Sequence, residues 1–129
     1  MNTESKETKP RYGIAKFERR RYRRFIVHLP VEYYRVDSLI NRTGQALNIS
    51  EGGLEILFPE QMKIGQYLKI KMFFSSGSEL NTIEALVEVV WMNVHLGEDE
   101  KYYRSGVKFI EISPEDMDKL KNILLGLSQ

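Results

Sequence analysis

The chain has 129 residues, of which 42% are apolar, and it contains no cysteine. This length predicts one globular domain with a modest core, and the lack of cysteine excludes a disulfide framework, thiolate catalysis and a cysteine-based zinc site. The first ten residues are polar and charged, and the densest apolar segment, residues 85–92, is interrupted by Glu88 and is too short to span a bilayer. We therefore expect a cytoplasmic protein without an export signal and without membrane insertion.

The net charge of +1 hides an uneven distribution of charge along the chain. Residues 1–24 carry nine Lys and Arg against three Glu, a net charge of +6, whereas the other 105 residues carry ten basic and fifteen acidic side chains, a net charge of −5. A nucleic-acid-binding domain usually spreads positive charge over a whole face. Positive charge confined to one short segment ahead of an acidic body fits a small, compact anion better.

Residues 1–17 have no sustained apolar period and are expected to form a flexible leader. After them, the alternation of apolar and polar side chains predicts six strands, at about 26–34, 45–49, 53–58, 69–74, 82–94 and 103–112. The alternation in the fifth strand puts the following side chains on one face: Ile83, Ala85, Val87, Val89 and Trp91. Because the links are short and turn-like, we expect a closed or nearly closed antiparallel barrel over about residues 25–112, which removes exposed sheet edges.

The end of the chain changes from a strand period to a helix period. Ser113 supplies a hydroxyl N-cap, Pro114 suits the first helical position, and acidic side chains follow at the positive end of the helix dipole. Apolar residues then recur at steps of three and four: Met117, Leu120, Ile123, Leu124 and Leu127. The predicted fold class is all-β with a C-terminal helix over about residues 114–127, which packs on one mouth or side of the barrel in preference to forming a dimer contact.

Five arginines occur within residues 19–24, directly ahead of the first predicted strand. A guanidinium group can hold a phosphate with two hydrogen bonds, pair with the O6 and N7 atoms of guanine, and stack on a base. The segment therefore fits an anionic guanine nucleotide. The residues alone leave three other interpretations open: a solvated run of charge, a nucleic-acid-binding arm and a contact with anionic lipid.

A second polar segment, residues 48–53, joins two of the predicted strands. The amide of Asn48 can hydrogen-bond the Watson–Crick edge of a purine, the hydroxyl of Ser50 adds a small donor, and Gly52 and Gly53 allow the backbone to turn and approach a ligand. By itself this segment is equally compatible with an ordinary hairpin turn.

Together, and in this order, the two segments resemble the signature of the PilZ domain family, which is RxxxR at the entrance to the first strand and [DN]xSxxG between the second and third strands. The matching residues are Arg20 and Arg24 in the first motif and Asn48, Ser50 and Gly53 in the second. Arg19 and Arg23 also have the RxxxR spacing, but Arg24 is preferred because it directly precedes the apolar strand, as the second arginine of the family motif does. The resemblance covers about residues 18–127.

This resemblance implies a six-stranded antiparallel PilZ-type β-barrel, with the domain at residues 18–129, that binds cyclic di-GMP. The family signals occupancy to a downstream protein that controls motility, adhesion or exopolysaccharide. The arginines would hold phosphates and the Hoogsteen edge of guanine, Asn48 and Ser50 would contact a guanine from the barrel surface, and Arg19, just before RxxxR, would favour two stacked ligand molecules. The expected ligand-binding residues are Arg19, Arg20, Arg24, Asn48, Ser50 and Gly53, followed by Arg21, Arg23 and Trp91.

Catalysis finds little support in the sequence. His28 and His95 have no partners at the spacing of a metal site or a catalytic triad, so we expect no enzyme activity, no metal and no cofactor. Two other functions compete with the cyclic di-GMP receptor. One is a small β-barrel that binds RNA or DNA through the arginine segment, and the other is a PilZ-like adapter that binds a protein without nucleotide.

Overall fold

The computed structural model describes residues 22–96 and 101–128, and these form six strands and one helix. The elements are β1 (Phe25–Arg35), β2 (Arg42–Ile49), β3 (Gly53–Phe58), β4 (Tyr67–Ser76), β5 (Glu79–Leu96), β6 (Lys101–Ile112) and α1 (Pro114–Leu127). The predicted strands and helix are confirmed, although β2, β4, β5 and β6 begin two or three residues earlier than the alternation indicates. The predicted leader, residues 1–17, lies outside the described residues.

The strands close into an antiparallel barrel in the order β1-β2-β3-β6-β5-β4. Along each strand, alternate side chains point inward, and together they fill the barrel with an apolar core. The most deeply buried of these side chains include Val31, Ile49, Ile56, Phe58, Leu68 and Val87. Closure pairs every strand on both sides, so the predicted fold class, an antiparallel barrel with a C-terminal helix, is confirmed.

Helix α1 begins as its sequence predicts. The hydroxyl of Ser113 accepts a hydrogen bond from the backbone N–H of Asp116 at 3.1 Å. The Asp116 carboxylate in turn accepts the backbone N–H of Glu84 at 3.0 Å, which ties the first turn of the helix to β5. Leu120 is fully buried in the core, whereas Leu127, the last member of the predicted apolar stripe, is 41% exposed.

A cluster around Glu60 joins the loop after β3 to β1 and β2. The Tyr33 hydroxyl donates to the Glu60 carboxylate at 2.7 Å, and the guanidinium groups of Arg35 and Arg42 each lie 3.1 Å from it. Burial, followed by the hydrogen bond and the negative charge of Glu60, raises the pKa of the Tyr33 hydroxyl well above its usual range. These four side chains do not line the cleft described below, so the cluster stabilises a different part of the barrel.

One detail of the predicted strand pattern is wrong, because Trp91 does not share the face of Val89. Val89 pairs with Val107, and Trp91 pairs with the adjacent Gly106, so the register of β5 shifts against β6 between these positions. Val90 is therefore an extra residue, a β-bulge that re-aims the side chain after it. As a result, Val89 is buried in the core while Trp91 lies half-buried on the outside of the barrel.

Candidate ligand-binding site

An open cleft of about 250 Å³ lies on the outer surface of the barrel, where β2, β3, β6 and β5 run side by side. Asn48 pairs with Glu55, and Glu55 pairs with Gly106 on its other side. Gly106 pairs in turn with Trp91, so these residues form one row across four strands. The cleft is lined by five residues that the sequence predicted as ligand-binding: Arg24, Asn48, Ser50, Gly53 and Trp91.

A β-bulge directs Asn48 toward the cleft. Ala46 of β2 pairs with Ile56, and Asn48 pairs with the adjacent Glu55, so Leu47 is an extra residue. Ala46 and Ile56 are fully buried, and without the extra residue Asn48 would share their inward orientation. The bulge turns the amide outward, as the bulge in β5 does for the tryptophan.

The Ser50 hydroxyl organises the turn between β2 and β3. Its oxygen accepts the backbone N–H of Gly52 at 3.1 Å and that of Gly53 at 3.3 Å. The backbone N–H of Ser50 donates to the Gly53 carbonyl at 2.9 Å. The Ser50 hydroxyl is thus hydrogen-bonded within the turn, and Ser50 is only 9% exposed. Its main role in the cleft is therefore to hold the turn in place.

Two glycines let neighbouring groups approach more closely than a side chain would permit. A β-carbon on Gly53 would overlap the carbonyl oxygen of Val107 and lie 3.0 Å from the Cα atom of Lys108. A β-carbon on Gly106 would overlap the indole ring of Trp91. The first glycine therefore lets β3 lie against β6 beside the turn, and the second gives the flat indole its place in the cleft.

The floor of the cleft contains a carboxylate that belongs to neither sequence motif, the side chain of Glu55. Glu55 is only 5% exposed, although it lies on the opposite face of β3 from its neighbours Leu54 and Ile56, which point into the core. The Asn48 amide Nδ2 donates to Glu55 Oε1 at 2.8 Å, and Arg104 Nε donates to Glu55 Oε2. These partners satisfy the buried charge. A charged residue within an apolar strand was the available signal, but Arg104 lies 49 positions away, so no local pattern connects the two.

The segment before β1 reaches the cleft through Tyr22 and Arg24, which both line it. The ring of Tyr22 lies over the β2–β3 turn, since a β-carbon on Gly52 would be 2.8 Å from Tyr22 Cδ2. The chain thus enters the barrel across the turn, and this path brings the last arginine of the segment to the cleft.

Arg23 has a different position from Arg24. Its guanidinium carbon lies 4.8 Å from the centroid of the Phe25 ring, in a cation–π contact. Within the described part of the chain, Arg24 is the arginine of the segment that lines the cleft. The remaining predicted arginines lie outside the described residues: Arg19, Arg20 and Arg21.

The side chains in the cleft suit a ligand that combines a planar base with a phosphate. The indole of Trp91 offers a face on which a base can stack, and the amide of Asn48 offers a hydrogen bond to a base edge. Arg24 and Lys108 add positive charge for a phosphate, and Lys108 Nζ lies 3.6 Å from the Glu88 carboxylate.

Residues 22–96 and 101–128 contain no group of three His, Cys, Asp or Glu side chains that could hold a metal ion. Helix α1 has 14 residues. Across the same described ranges, no helix has the length and apolar character needed to cross a membrane.

The chain forms a small β-barrel domain with a cleft on its outer surface. The model of the PilZ domain family matches residues 18–126, and the chain belongs to this family. The resemblance inferred from the two motifs is thereby confirmed. No curated protein matches the chain.

Three solved structures have the same fold as this chain. MotI/DgrA, the inhibitor of motility of Bacillus subtilis, has a TM-score of 0.70 at 20% identity, over 88% of this chain and 53% of that chain. The PilZ domain of Escherichia coli YcgR with c-di-GMP has a TM-score of 0.67 at 17% identity, over 86% and 92%. The K. pneumonia MrkH complex with c-di-GMP has a TM-score of 0.68 at 23% identity, over 87% and 52%. The chain thus spans about half the length of the MotI/DgrA and MrkH chains.

Proposed function

We propose that the chain is a non-catalytic receptor for cyclic di-GMP that passes ligand occupancy to a downstream protein. The observation that carries this proposal is the convergence of both family motifs on one cleft. Arg24 of the RxxxR segment lies in the same cleft as Asn48 and Ser50 of the [DN]xSxxG segment. Two proteins with the same fold were solved with c-di-GMP, which supports the choice of ligand.

In the proposed complex, one guanine lies in the cleft with its face against Trp91 and its Watson–Crick edge toward Asn48. Arg24 and Arg20 hold a phosphate and the O6 and N7 atoms of guanine, which match the planar fork of a guanidinium group. Arg19 stacks on a base of a second ligand molecule and offsets its added phosphate charge.

Isothermal titration tests this proposal. Cyclic di-GMP should bind with a stoichiometry of about two per chain, because Arg19 supports a second stacked molecule. Cyclic di-AMP, GTP and GMP should bind much more weakly. Adenine presents an N6 donor where guanine presents the O6 acceptor that arginine pairs with. If cyclic di-AMP binds as tightly as cyclic di-GMP, the proposed ligand is wrong. If about one cyclic di-GMP binds per chain, only the role given to Arg19 is wrong.

The same titrations separate the receptor from the two competing functions. A protein that neutralises many phosphates of RNA or DNA shows a steep dependence of log affinity on log salt, whereas a ligand with two phosphates gives a shallow one. Tighter binding of single-stranded RNA or DNA than of cyclic di-GMP, with a steep salt slope, would favour the nucleic-acid arm. A folded chain that binds no nucleotide would favour the protein adapter.

We also propose that ligand binding orders the arginine segment. The +6 charge of residues 1–24 opposes their packing in the free protein, because like charges repel and few apolar groups offset the entropy of ordering. Phosphates in the cleft would pair with Arg20 and Arg24 and draw the segment over the turn, where Tyr22 already contacts Gly52. The ordered segment and the adjacent barrel wall would then form the surface that a downstream protein of motility, adhesion or exopolysaccharide control recognises.

Amide hydrogen exchange measures this ordering directly. Saturation with cyclic di-GMP should raise protection in residues 17–26 and in the turn at residues 48–53, because the clamped segment excludes water from both. The backbone N–H groups of Gly52 and Gly53 already bond to the Ser50 hydroxyl, so the larger change is expected in the arginine segment. Equal protection of that segment with and without ligand would contradict the proposed ordering, even if cyclic di-GMP binds tightly.

A further inference from the structure

Glu55 is a buried charge that the ligand contacts proposed above do not use. It is 5% exposed and lies on the cleft side of β3, with one carboxylate oxygen bonded to Asn48 and the other to Arg104. A buried carboxylate is unfavourable unless it is paired and hydrogen-bonded. An apolar residue would pack on β3 without that penalty, so the position of this charge beside the base-reading amide points to a role in recognition.

The carboxylate dictates how the Asn48 amide is turned. A carboxylate paired with a guanidinium group carries acceptors only, and an amide carries a donor end and an acceptor end. The donor end, Nδ2, must therefore face Glu55. The structure agrees, because Asn48 Nδ2 donates a hydrogen bond of 2.8 Å to Glu55 Oε1. The acceptor end, Oδ1, is consequently the end that Asn48 turns away from Glu55 and can present to a ligand in the cleft.

We infer that Glu55 is a positioning residue that adds to the preference of the cleft for guanine, by holding Asn48 with its acceptor toward the base. The inference rests on the proposed function. Guanine presents two adjacent donors on its Watson–Crick edge, N1–H and the N2 amino group, and an acceptor oxygen matches them. Adenine presents an unprotonated N1 at the equivalent position, which an acceptor oxygen repels. A site built on a satisfied hydrogen bond rejects the mismatched base strongly, since a buried polar group is then left unpaired.

Arg104 determines which end of an amide at position 55 would face Asn48. In Glu55→Gln, the Nε–H of Arg104 still requires an oxygen, so the amide oxygen of the new side chain would face Arg104 and its amino group would face Asn48. The Asn48 amide would then rotate to accept that hydrogen bond and present Nδ2 to the ligand. The donor of Asn48 would meet the donors of guanine, whereas adenine N1 would be accommodated.

Titration of the full chain and its variants with cyclic di-GMP and cyclic di-AMP tests the inference. Glu55→Gln should weaken cyclic di-GMP binding about tenfold or more and should reduce the preference over cyclic di-AMP by a similar factor. Asn48→Asp should also weaken binding about tenfold, because two carboxylates would then lie at hydrogen-bonding distance. Glu32→Gln makes the same change on β1, outside the cleft lining, and should bind as the unaltered chain does.

The double variant Asn48→Asp with Glu55→Gln distinguishes positioning from packing. The amino group of residue 55 would donate to the carboxylate at 48, which restores the hydrogen bond with its polarity reversed and keeps the net charge of the pair. An oxygen at position 48 would again face the guanine donors, so affinity should return to within about threefold of the unaltered chain. A residue needed only for packing would not yield such a rescue, and thermal melts of each variant establish that the chain is folded.

The outcomes distinguish failure of the proposed function from failure of the role given to Glu55. If the unaltered chain binds no cyclic di-GMP, both the proposed function and the role of Glu55 are overturned. If it binds, but Glu55→Gln retains its affinity and its preference for guanine, the role of Glu55 alone is overturned. Failure of the double variant to recover binding, with all variants folded, would likewise overturn positioning by hydrogen-bond polarity.

Discussion

Replacing Arg24 with alanine should weaken the binding of cyclic di-GMP by about 1.5–3 kcal/mol, roughly 10- to 150-fold in Kd. The guanidinium group lines the cleft beside Asn48 and Trp91, and its loss removes a charge-assisted hydrogen bond to a phosphate or to guanine. Because Arg24 is exposed and precedes β1, the barrel should remain folded. Isothermal titration, with the fluorescence of Trp91, the single tryptophan of the chain, as an independent signal from the cleft, measures the loss.

Arg23→Ala is the matched control for this variant. It removes the same charge one residue away, where the guanidinium group lies over the Phe25 ring. The general attraction of a phosphate to the arginine segment changes equally in both variants, so a difference in affinity isolates the contact made in the cleft. Arg20→Ala should behave like Arg24→Ala. If Arg23→Ala costs more affinity than Arg24→Ala, the other RxxxR spacing, Arg19 with Arg23, is the functional one.

The barrel could be predicted from the sequence because local periodicity carries most of its information. Val27, Val31 and Tyr33 of β1 are all buried, as a period of two requires of a strand with one face in a core. The helix was equally readable, since Ser113 and Pro114 determine where it begins. Within residues 22–96 and 101–128, the misassigned features of the barrel are strand ends and the direction of side chains after a bulge.

Trp91 shows why that misassignment occurs. The extra residue in β5 is visible only in the pairing with β6, where Trp91 lies opposite Gly106. Nothing in the alternation of β5 itself marks it, because Val90 is an ordinary strand residue. A bulge is a property of two strands, so its effect on side-chain direction cannot be obtained from one of them.

The candidate site likewise contains some residues that short motifs reveal and others that only the pairing of strands reveals. Arg24, Asn48 and Ser50 belong to short motifs, and the structure brings them to one cleft. Glu55 and Arg104 are joined only through the pairing of β3 with β6, so the sequence offered no spacing that would connect them. The motifs therefore point to residues that line the cleft, whereas the pairing of Glu55 with Arg104 on the cleft floor is visible only in the folded chain.

Replacing Gly53 with alanine should lower the free energy of unfolding by about 2–3 kcal/mol and lower the Tm by several degrees. In the family motif this glycine would be assigned to close approach of the ligand, but the structure gives it a second role. Its missing β-carbon leaves the space that the Val107 carbonyl oxygen of β6 occupies. Since the colliding atom belongs to the backbone of a paired strand, it cannot move aside without disturbing the β3–β6 ladder. Thermal melts of the ligand-free variant measure this effect separately from binding.

Gly126→Ala is the control for the loss of a glycine. Gly126 lies in the last turn of α1, and a β-carbon there would meet nothing within 4 Å. The same substitution should raise the free energy of unfolding there by up to about 1 kcal/mol, because alanine favours the helix. Opposite signs at the two positions would assign the loss at Gly53 to the collision with β6 rather than to the general effect of adding a methyl group. If Gly53→Ala instead melts like the unaltered chain and loses only its affinity for cyclic di-GMP, then the turn has relaxed without cost and Gly53 serves the approach of the ligand alone.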